Sequence, residues 1–455
     1  MTVVLRPYQE DIIVRVRRAL KVHRKALLVM PTGAGKTNTA GFMMKGSVSR
    51  NQRCFFMVHR KELVEQTCAT MDKLGLDYGI VAAGMPFNPY KNITICSVGT
   101  LAARLDKVPA PDLIIVDEAH HSSAATWLAI FAAFPKAFYV GLTATPERLD
   151  GRGLDHQYKA LVMGPTVRWL IDNGFLAEYL AWSHPPPELK GIRKIAGDYN
   201  QGQLAAAMDK PHLIGDIVDH YKKLAMGTQA VMFCVSVEHA LHSAAAFKEA
   251  GIAADEIDGT ANRIDRSNTI GAFRRGEIRV LTSVDLISEG FDLPEMQTTI
   301  LARPTASLGL MTQQVGRCLR PAPGKAHAII LDHAGNIARH GRPDAEREWS
   351  LEGRKKKSGP SVAPVKRCPN CFGSAPAGVT ACPYCGYAFP IQPREVTQVD
   401  GSLTEVDVAA VRAKAKAEQA SATTYDELVA LGRARGYAKP EGWARHLIKA
   451  RGGRA

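Results

Sequence analysis

No apolar run in these 455 residues reaches the roughly 18 residues of a membrane-spanning helix, which sets aside a helical membrane protein. The most apolar stretch, 127–145, is interrupted by Pro135 and Lys136. An export signal is also missing, because Arg6 and Glu10 come before any apolar core could form, so the expected location is the cytoplasm. No repeat with a period of 20 to 50 residues is visible, which excludes a solenoid. Cysteine is too sparse for a disulfide framework. Cys54, Cys68, Cys96, Cys234 and Cys318 are scattered through apolar segments as reduced core cysteines usually are, and the other four cluster near the C-terminus. Acidic residues are outnumbered 44 to 58, leaving a net charge of +14 that points to a polyanion such as nucleic acid without identifying one.

What is present is an ordinary globular composition, long enough for two or three domains with cores of their own. Short β-branched or apolar runs alternate with longer helical patterns, the signature of an α/β fold with parallel sheets covered on both faces. One set of strands is expected at 26–30, 54–58, 93–98, 113–116 and 138–142, and a second at 230–235, 253–257, 278–282, 298–302 and 327–331. This gives two five-stranded lobes, over residues 1–175 and 226–345. Residues 176–225 form the connection, with a proline run at 185–187 and an amphipathic helix around Ile214, Ile217, Val218 and Tyr221. Beyond Trp349 the periodicity stops, and 346–366 reads as a basic linker.

The first strand runs into Pro31-Thr32-Gly33-Ala34-Gly35-Lys36-Thr37. Gly33 and Gly35 would let backbone N–H groups close around phosphate oxygens at a helix N-terminus. Lys36 would reach the outer phosphates and Thr37 would ligate Mg2+. Met30 stands where the general pattern wants glycine, so the turn alone could be an ordinary glycine turn. Another apolar strand ends in Asp117-Glu118-Ala119-His120, placing two acids at the C-terminal edge of a sheet. Asp117 suits hydrated magnesium and Glu118 the attacking water, although acids also simply decorate helix N-termini.

With these motifs on the page, the chain resembles the superfamily 2 helicases, in particular DEAD/DEAH helicases with a type III restriction-like helicase domain as encoded by phages and prophages. Leu5-Arg6-Pro7-Tyr8-Gln9 resembles the adenine-reading motif, with Arg6 and Gln9 its readers, and 59–63 resembles motif Ia. Residues 141–146 resemble motif III, and 282–292, ending in Gly290-Phe291-Asp292, resemble motif V. Gln313-Gln314-Val315-Gly316-Arg317-Cys318-Leu319-Arg320 matches motif VI. The resemblance implies two tandem RecA-like lobes that bind ATP with Mg2+ at their interface. Gln313, Arg317 and Arg320 would act from the second lobe on the transferring phosphate, as expected for a reaction that develops charge there. Gly290 and Asp292 would line the nucleotide. Arg60, Thr100 and Arg104 in lobe one, with Arg263 and Thr282 in lobe two, would contact a nucleic-acid backbone.

RNA-directed DEAD-box proteins usually end the acidic motif in Asp and open motif VI with His, whereas this chain has His120 and Gln313 there. That mismatch favours DNA over RNA. The function expected is an ATP-dependent DNA helicase or translocase, with an RNA helicase or an ATP-gated clamp as alternatives.

The clustered cysteines, Cys368-Pro369-Asn370-Cys371 and Cys382-Pro383-Tyr384-Cys385, have the two-knuckle spacing of a structural Zn2+ site, so a zinc ribbon is expected at 367–390. The basic tail 391–455 reads as helical, with Trp443 and Leu447 on one face for DNA, a protein partner or the motor itself.

Overall fold

The computed structural model describes residues 4–122, 125–148, 151–185, 187–195, 197–257, 263–284, 293–353, 365–390, 408–437 and 439–450. Gly290, Asp292, the side chain of Arg263 and the basic run 354–360 lie outside the described residues. The chain divides into two units, Met1–Pro390 and Ile391–Ala455.

Lobe one is a seven-stranded sheet rather than five-stranded. Its strands are β1 (Lys25–Val29), β2 (Cys54–Val58), β3 (Gly79–Val81), β4 (Ile93–Ser97), β5 (Leu113–Val116), β6 (Phe138–Thr143) and β7 (Ala160–Met163). Their spatial order is β3-β4-β2-β5-β6-β1-β7, with every neighbouring pair parallel. The strands missed by sequence are the two edges. β3 has only three residues, and β7 is mostly half-buried, so neither produces the continuous apolar run of an inner strand such as β2.

Lobe two begins earlier than expected. β8 (Tyr179–Ser183) lies in the stretch read as interlobe connection, yet it pairs in parallel with the last strand of the second sheet. After a small antiparallel pair, β9 (Lys194–Ile195) and β10 (Asp198–Tyr199), come β11 (Ala230–Phe233), β12 (Ala254–Ile257), β13 (Val280–Ser283), β14 (Thr298–Leu301) and β15 (Ala328–Asp332). The second sheet is six-stranded and parallel, ordered β12-β13-β11-β14-β15-β8. The helix Pro211–Leu224 buries Ile214, Ile217, Val218 and Tyr221, the face its periodicity predicts.

The cysteine-bearing ribbon does not hang free of the lobes. Its hairpin, β16 (Val365–Arg367) and β17 (Ser374–Pro376), packs beside β8. Ser183 N–H donates to the Phe372 carbonyl at 3.0 Å, and Trp182 pairs with Gly373 and meets the Tyr384 ring at 5.4 Å. The ribbon thereby covers a sheet edge that would otherwise present unpaired backbone groups.

The second unit contains the helices Val408–Ser421, Tyr425–Ala434 and Pro440–Ala450. Thr424 and Glu427 form a capping box that fixes the start of the middle helix. Trp443 and Leu447 pack on the unit's own core of Leu428, Val429 and Ala444, so the face read as a docking surface is used internally. Among the described residues, no helix is long and apolar enough to cross a membrane.

Candidate active site

β1 is buried along most of its length and delivers the chain into the phosphate turn. Gly33 (φ +86°) and Gly35 (φ +80°) take left-handed backbone conformations there, and Gly35 caps the helix Lys36–Val48. Met30, the departure from the general pattern, points its side chain into the core, where Gly164 leaves room for it, and its carbonyl accepts from Lys36 Nζ at 3.3 Å. Thr32, Ala34 and Thr37 fall within the same turn and first helical residues, as expected.

Arg6 and Gln9 open the helix Pro7–His23, where Gln9 Oε1 accepts from Arg6 N–H at 2.9 Å. Gln9 Nε2 lies 3.2 Å from the Ala34 carbonyl, and Tyr8 Oη donates to the same carbonyl at 2.8 Å. The adenine-motif residues therefore brace the phosphate turn directly. The Arg6 guanidinium lies 4.9 Å from the Phe175 ring centre, and Tyr8, Trp169 and Phe175 form an aromatic cluster beside it. Nothing in the motif order pointed to Trp169 or Phe175; the only signal was two aromatics six and twelve residues after the edge strand.

Asp117 follows β5, with its N–H bonded to the Met57 carbonyl, so the sheet fixes its position. Glu118 is held at φ 46°, a left-handed conformation that a side-chain-bearing residue seldom adopts without reason. Its Oε2 lies 3.4 Å from His120 Nδ1, and that nitrogen is 3.3 Å from Thr143 Oγ1. The acidic turn is thereby tied to the segment 141–146. Beneath it, Ser122 Oγ and the Ser122 carbonyl both engage the Gln157 amide, a brace with no sequence signature.

Lobe two presents the helix Leu308–Cys318, capped by Ser307, whose hydroxyl accepts from Leu310 N–H. Gln313 and Arg317 are buried on it. Arg320 lies just beyond, on a turn secured by Lys325, whose ammonium lies 2.8 Å from the Arg320 carbonyl and 2.7 Å from that of Met296. Lys325 was not anticipated from sequence. The two lobes meet here, because a Cβ added to Gly33 would contact Arg320 Cγ at 3.6 Å and Leu176 Cδ2 at 2.9 Å. Burial lowers the Lys36 pKa, Glu118 and Asp117 oppose the shift, and Arg317 and Arg320 reinforce it. Residues from both lobes thus act on one ammonium group.

The residues expected to contact nucleic acid fare differently. Arg60 and Thr100 are part-exposed, and Arg104 is likewise part-exposed over the Phe87 ring, 5.0 Å from its centre. Thr282 does not fit that role: it is wholly buried in β13 and its hydroxyl donates to the Ala240 carbonyl at 2.9 Å. Buried strands satisfy a lone hydroxyl in this way, and no surface remains for a phosphate.

Cys368, Cys371, Cys382 and Cys385 bring their sulfurs within 4.8 Å of one another. Two of the separations are 3.6 and 3.7 Å, close to the roughly 3.8 Å edge of a tetrahedral zinc–thiolate site. Each knuckle turns through a left-handed residue after its second cysteine, Phe372 (φ 58°) and Gly386 (φ 71°).

Residues 2–148 match the family described as "Type III restriction enzyme, res subunit", and residues 209–322 match "Helicase conserved C-terminal domain". A "51.5 kDa protein" of Lactococcus phage (isolate 7-9) is 35% identical over 397 residues, covering 86% of this chain and 85% of its own length. Saccharomyces cerevisiae "Putative ATP-dependent helicase IRC3" is 30% identical over 355 residues, 73% of this chain but only 52% of the yeast protein, so the chain spans about half of that relative. The solved structure "ATP-dependent Type ISP restriction-modification enzyme LlaBIII bound to DNA" superposes with a TM-score of 0.54 at 17% identity, over 72% of this chain and 28% of the other; that likeness concerns the fold.

Proposed function

This chain belongs to the superfamily 2 helicases of the type III restriction-like group that includes a phage relative, and on that footing we propose that it couples ATP hydrolysis between its lobes to movement on, or remodelling of, DNA. One observation carries the reading: the motif VI helix of lobe two lies against the turn before Lys36, where a Cβ on Gly33 would lie 3.6 Å from Arg320 Cγ and one on Gly316 would lie 2.4 Å from Thr32 Cβ. Such a constellation serves phosphoryl transfer, which needs positioning and charge stabilisation more than covalent chemistry.

In this reading Gly33, Ala34 and Gly35 hold the phosphates through backbone N–H groups, with Thr32 at the wall of the turn. Lys36 binds the outer phosphates. An arriving polyphosphate favours the charged ammonium and so opposes the burial that lowers its pKa. Thr37 and Asp117 offer hard oxygen donors of the kind magnesium takes, and the ion when bound would neutralise phosphate charge. Glu118 orients and deprotonates the attacking water. Arg320, and Arg317 beside it, neutralise charge developing on the transferred phosphate, with Gln313 on the same helix. Arg6 and Gln9 read adenine at the edge of the turn they already brace. Gly290 and Asp292 belong to the same reading through their motif alone.

ATP favours the closed pair of lobes, and hydrolysis releases it, which gives two arrangements for a cycle. Arg60, Thr100, Arg104 and Arg263 supply sequence-blind phosphate contacts, as a motor requires. DNA is favoured over RNA by His120 and Gln313, which stand where RNA-directed DEAD-box proteins usually carry Asp and His. The four cysteines hold a structural Zn2+, and the basic tail serves DNA or a protein partner.

Displacement of a labelled strand from forked DNA tests the motor. ATP should support displacement while a non-hydrolysable analogue should not. Binding and ATP turnover without displacement or translocation would leave an ATP-gated clamp instead.

A further inference from the structure

Residues 341–353 leave lobe two after the helix Asn336–His340 and end on lobe one. The first half is folded by one side chain. Arg347 donates to the carbonyls of His340, Arg342, Pro343 and Ala345, at 2.9 to 3.3 Å, which fastens the segment to the end of lobe two. Arg342 adds a 2.6 Å bond to the Ser374 carbonyl of the ribbon. The second half crosses the seam. The Leu351 carbonyl accepts from Leu154 N–H at 2.7 Å and Asp155 N–H at 3.0 Å, while Arg152 and Gly353 form an antiparallel bridge. The Leu351 side chain packs against a core cluster of lobe one that contains Leu154 and Tyr158.

Two glycines make this approach feasible. A Cβ on Gly153 would lie 1.9 Å from the Leu351 carbonyl oxygen, and one on Gly353 would lie 2.4 Å from Gly153 N. On the way the segment walls a cavity of ≈ 110 Å³ whose other side is Pro31 and Thr32 of the phosphate turn and Thr312 and Gly316 of the lobe-two helix; Arg347 and Trp349 face it. The segment therefore passes directly behind the interlobe site. Its docking point, 151–155, also continues from residues 141–146, where Thr145 Oγ1 lies 2.9 Å from a Cβ built on Gly309 of lobe two.

We propose that residues 343–353 are an interlobe strap that positions lobe two over lobe one for ATP hydrolysis, with Leu351, Gly153 and Gly353 as its positioning residues. The inference rests on the reading of ATP hydrolysis between the lobes. A second attachment outside the nucleotide site restricts how far the two already linked lobes can separate and so raises the probability of closure before ATP contributes any contact. Apparent nucleotide affinity scales with the closed fraction, so releasing the strap weakens ATP use without altering the groups that perform the chemistry.

The test uses Gly153→Ala and Leu351→Ala in the full chain, with Leu351→Met as the conservative control. Gly153 is not among the glycines with positive φ, so alanine there obstructs the strap without straining lobe one. Steady-state turnover should show KM for ATP raised roughly 5–10-fold, with kcat within about twofold at saturating ATP and Leu351→Met near wild type. With the folded fraction fixed by active-site titration, a lower kcat at unchanged KM would place the defect in the chemical step and overturn the positioning role. Higher turnover without nucleic acid would make the strap a brake, and unchanged kinetics would make it passive; both contradict the proposal. Small-angle scattering without nucleotide gives a readout independent of activity: Gly153→Ala should have a larger radius of gyration than wild type, and an equal radius would defeat the strap. A wild type without ATPase activity would instead defeat the functional reading, and scattering would still decide the strap.

Discussion

Gly316 of the lobe-two helix sits so close to Thr32 of the phosphate turn that a Cβ on Gly316 would lie 2.4 Å from Thr32 Cβ. The position lies inside the helix Leu308–Cys318, where glycine costs about 1 kcal/mol relative to alanine. Its retention at such a position is explained by the lobe contact. Gly316→Ala should therefore keep or slightly raise thermal stability while lowering ATPase about 100-fold, because the arginines beside it can no longer seat over the phosphates. Melting temperature and turnover on the same preparation check this. Full activity would show that the lobes need not close this tightly.

Lys36 and Glu118 should separate binding from chemistry. Lys36→Ala removes the cation for the outer phosphates and should lower kcat/KM by about 100-fold or more. Glu118→Gln keeps the shape of the turn at φ 46° but loses the base, so it should bind ATP near wild-type affinity without turning it over. Nucleotide binding by a fluorescent analogue, beside turnover, distinguishes the two. Near-normal hydrolysis in either variant would remove the site.

Much of this site was legible because its parts are local. The turn at 31–37 and the acids after β5 each follow a short buried strand that announces itself in a few residues. Lys325, Gln157 and the strap were not legible, since their partners lie about 30, 35 and 200 residues away and a surface lysine or glutamine reads the same with or without them. β8 escaped because an edge strand that alternates buried and half-buried residues resembles a linker until its neighbour is known. Thr282 misled in the opposite direction, because motif position marks a threonine but not whether its hydroxyl turns inward.

Metal removal should be felt in lobe two, because the ribbon covers β8. Chelation or Cys371→Ser should release about one zinc per chain. It should also change the fluorescence of Trp182, which now rests on Tyr384. Metal content and emission spectra check this together. A metal-free wild type would end the zinc assignment, and zinc release with unchanged emission would end the docking argument.

His333 supplies a pH dependence. Burial, with His220 and His184 nearby, lowers its pKa from 6.5 to about 3, so the unfolded chain binds a proton that the folded chain refuses throughout that window. Stability should fall as pH drops from 6.5 toward 3, by about 1.4 kcal/mol per unit at most from this group. Melting temperatures between pH 7.5 and 5 should decline less steeply for His333→Gln than for wild type. Parallel declines would show that other groups set the acid limit.

ATP turnover with no nucleic acid, single-stranded DNA, forked DNA and RNA, run beside Arg320→Ala, tests the central claim most directly. The account predicts that DNA stimulates turnover more than RNA does, and that Arg320→Ala abolishes turnover while DNA binding persists. Turnover indifferent to DNA, or an Arg320→Ala protein that hydrolyses ATP normally, would contradict it.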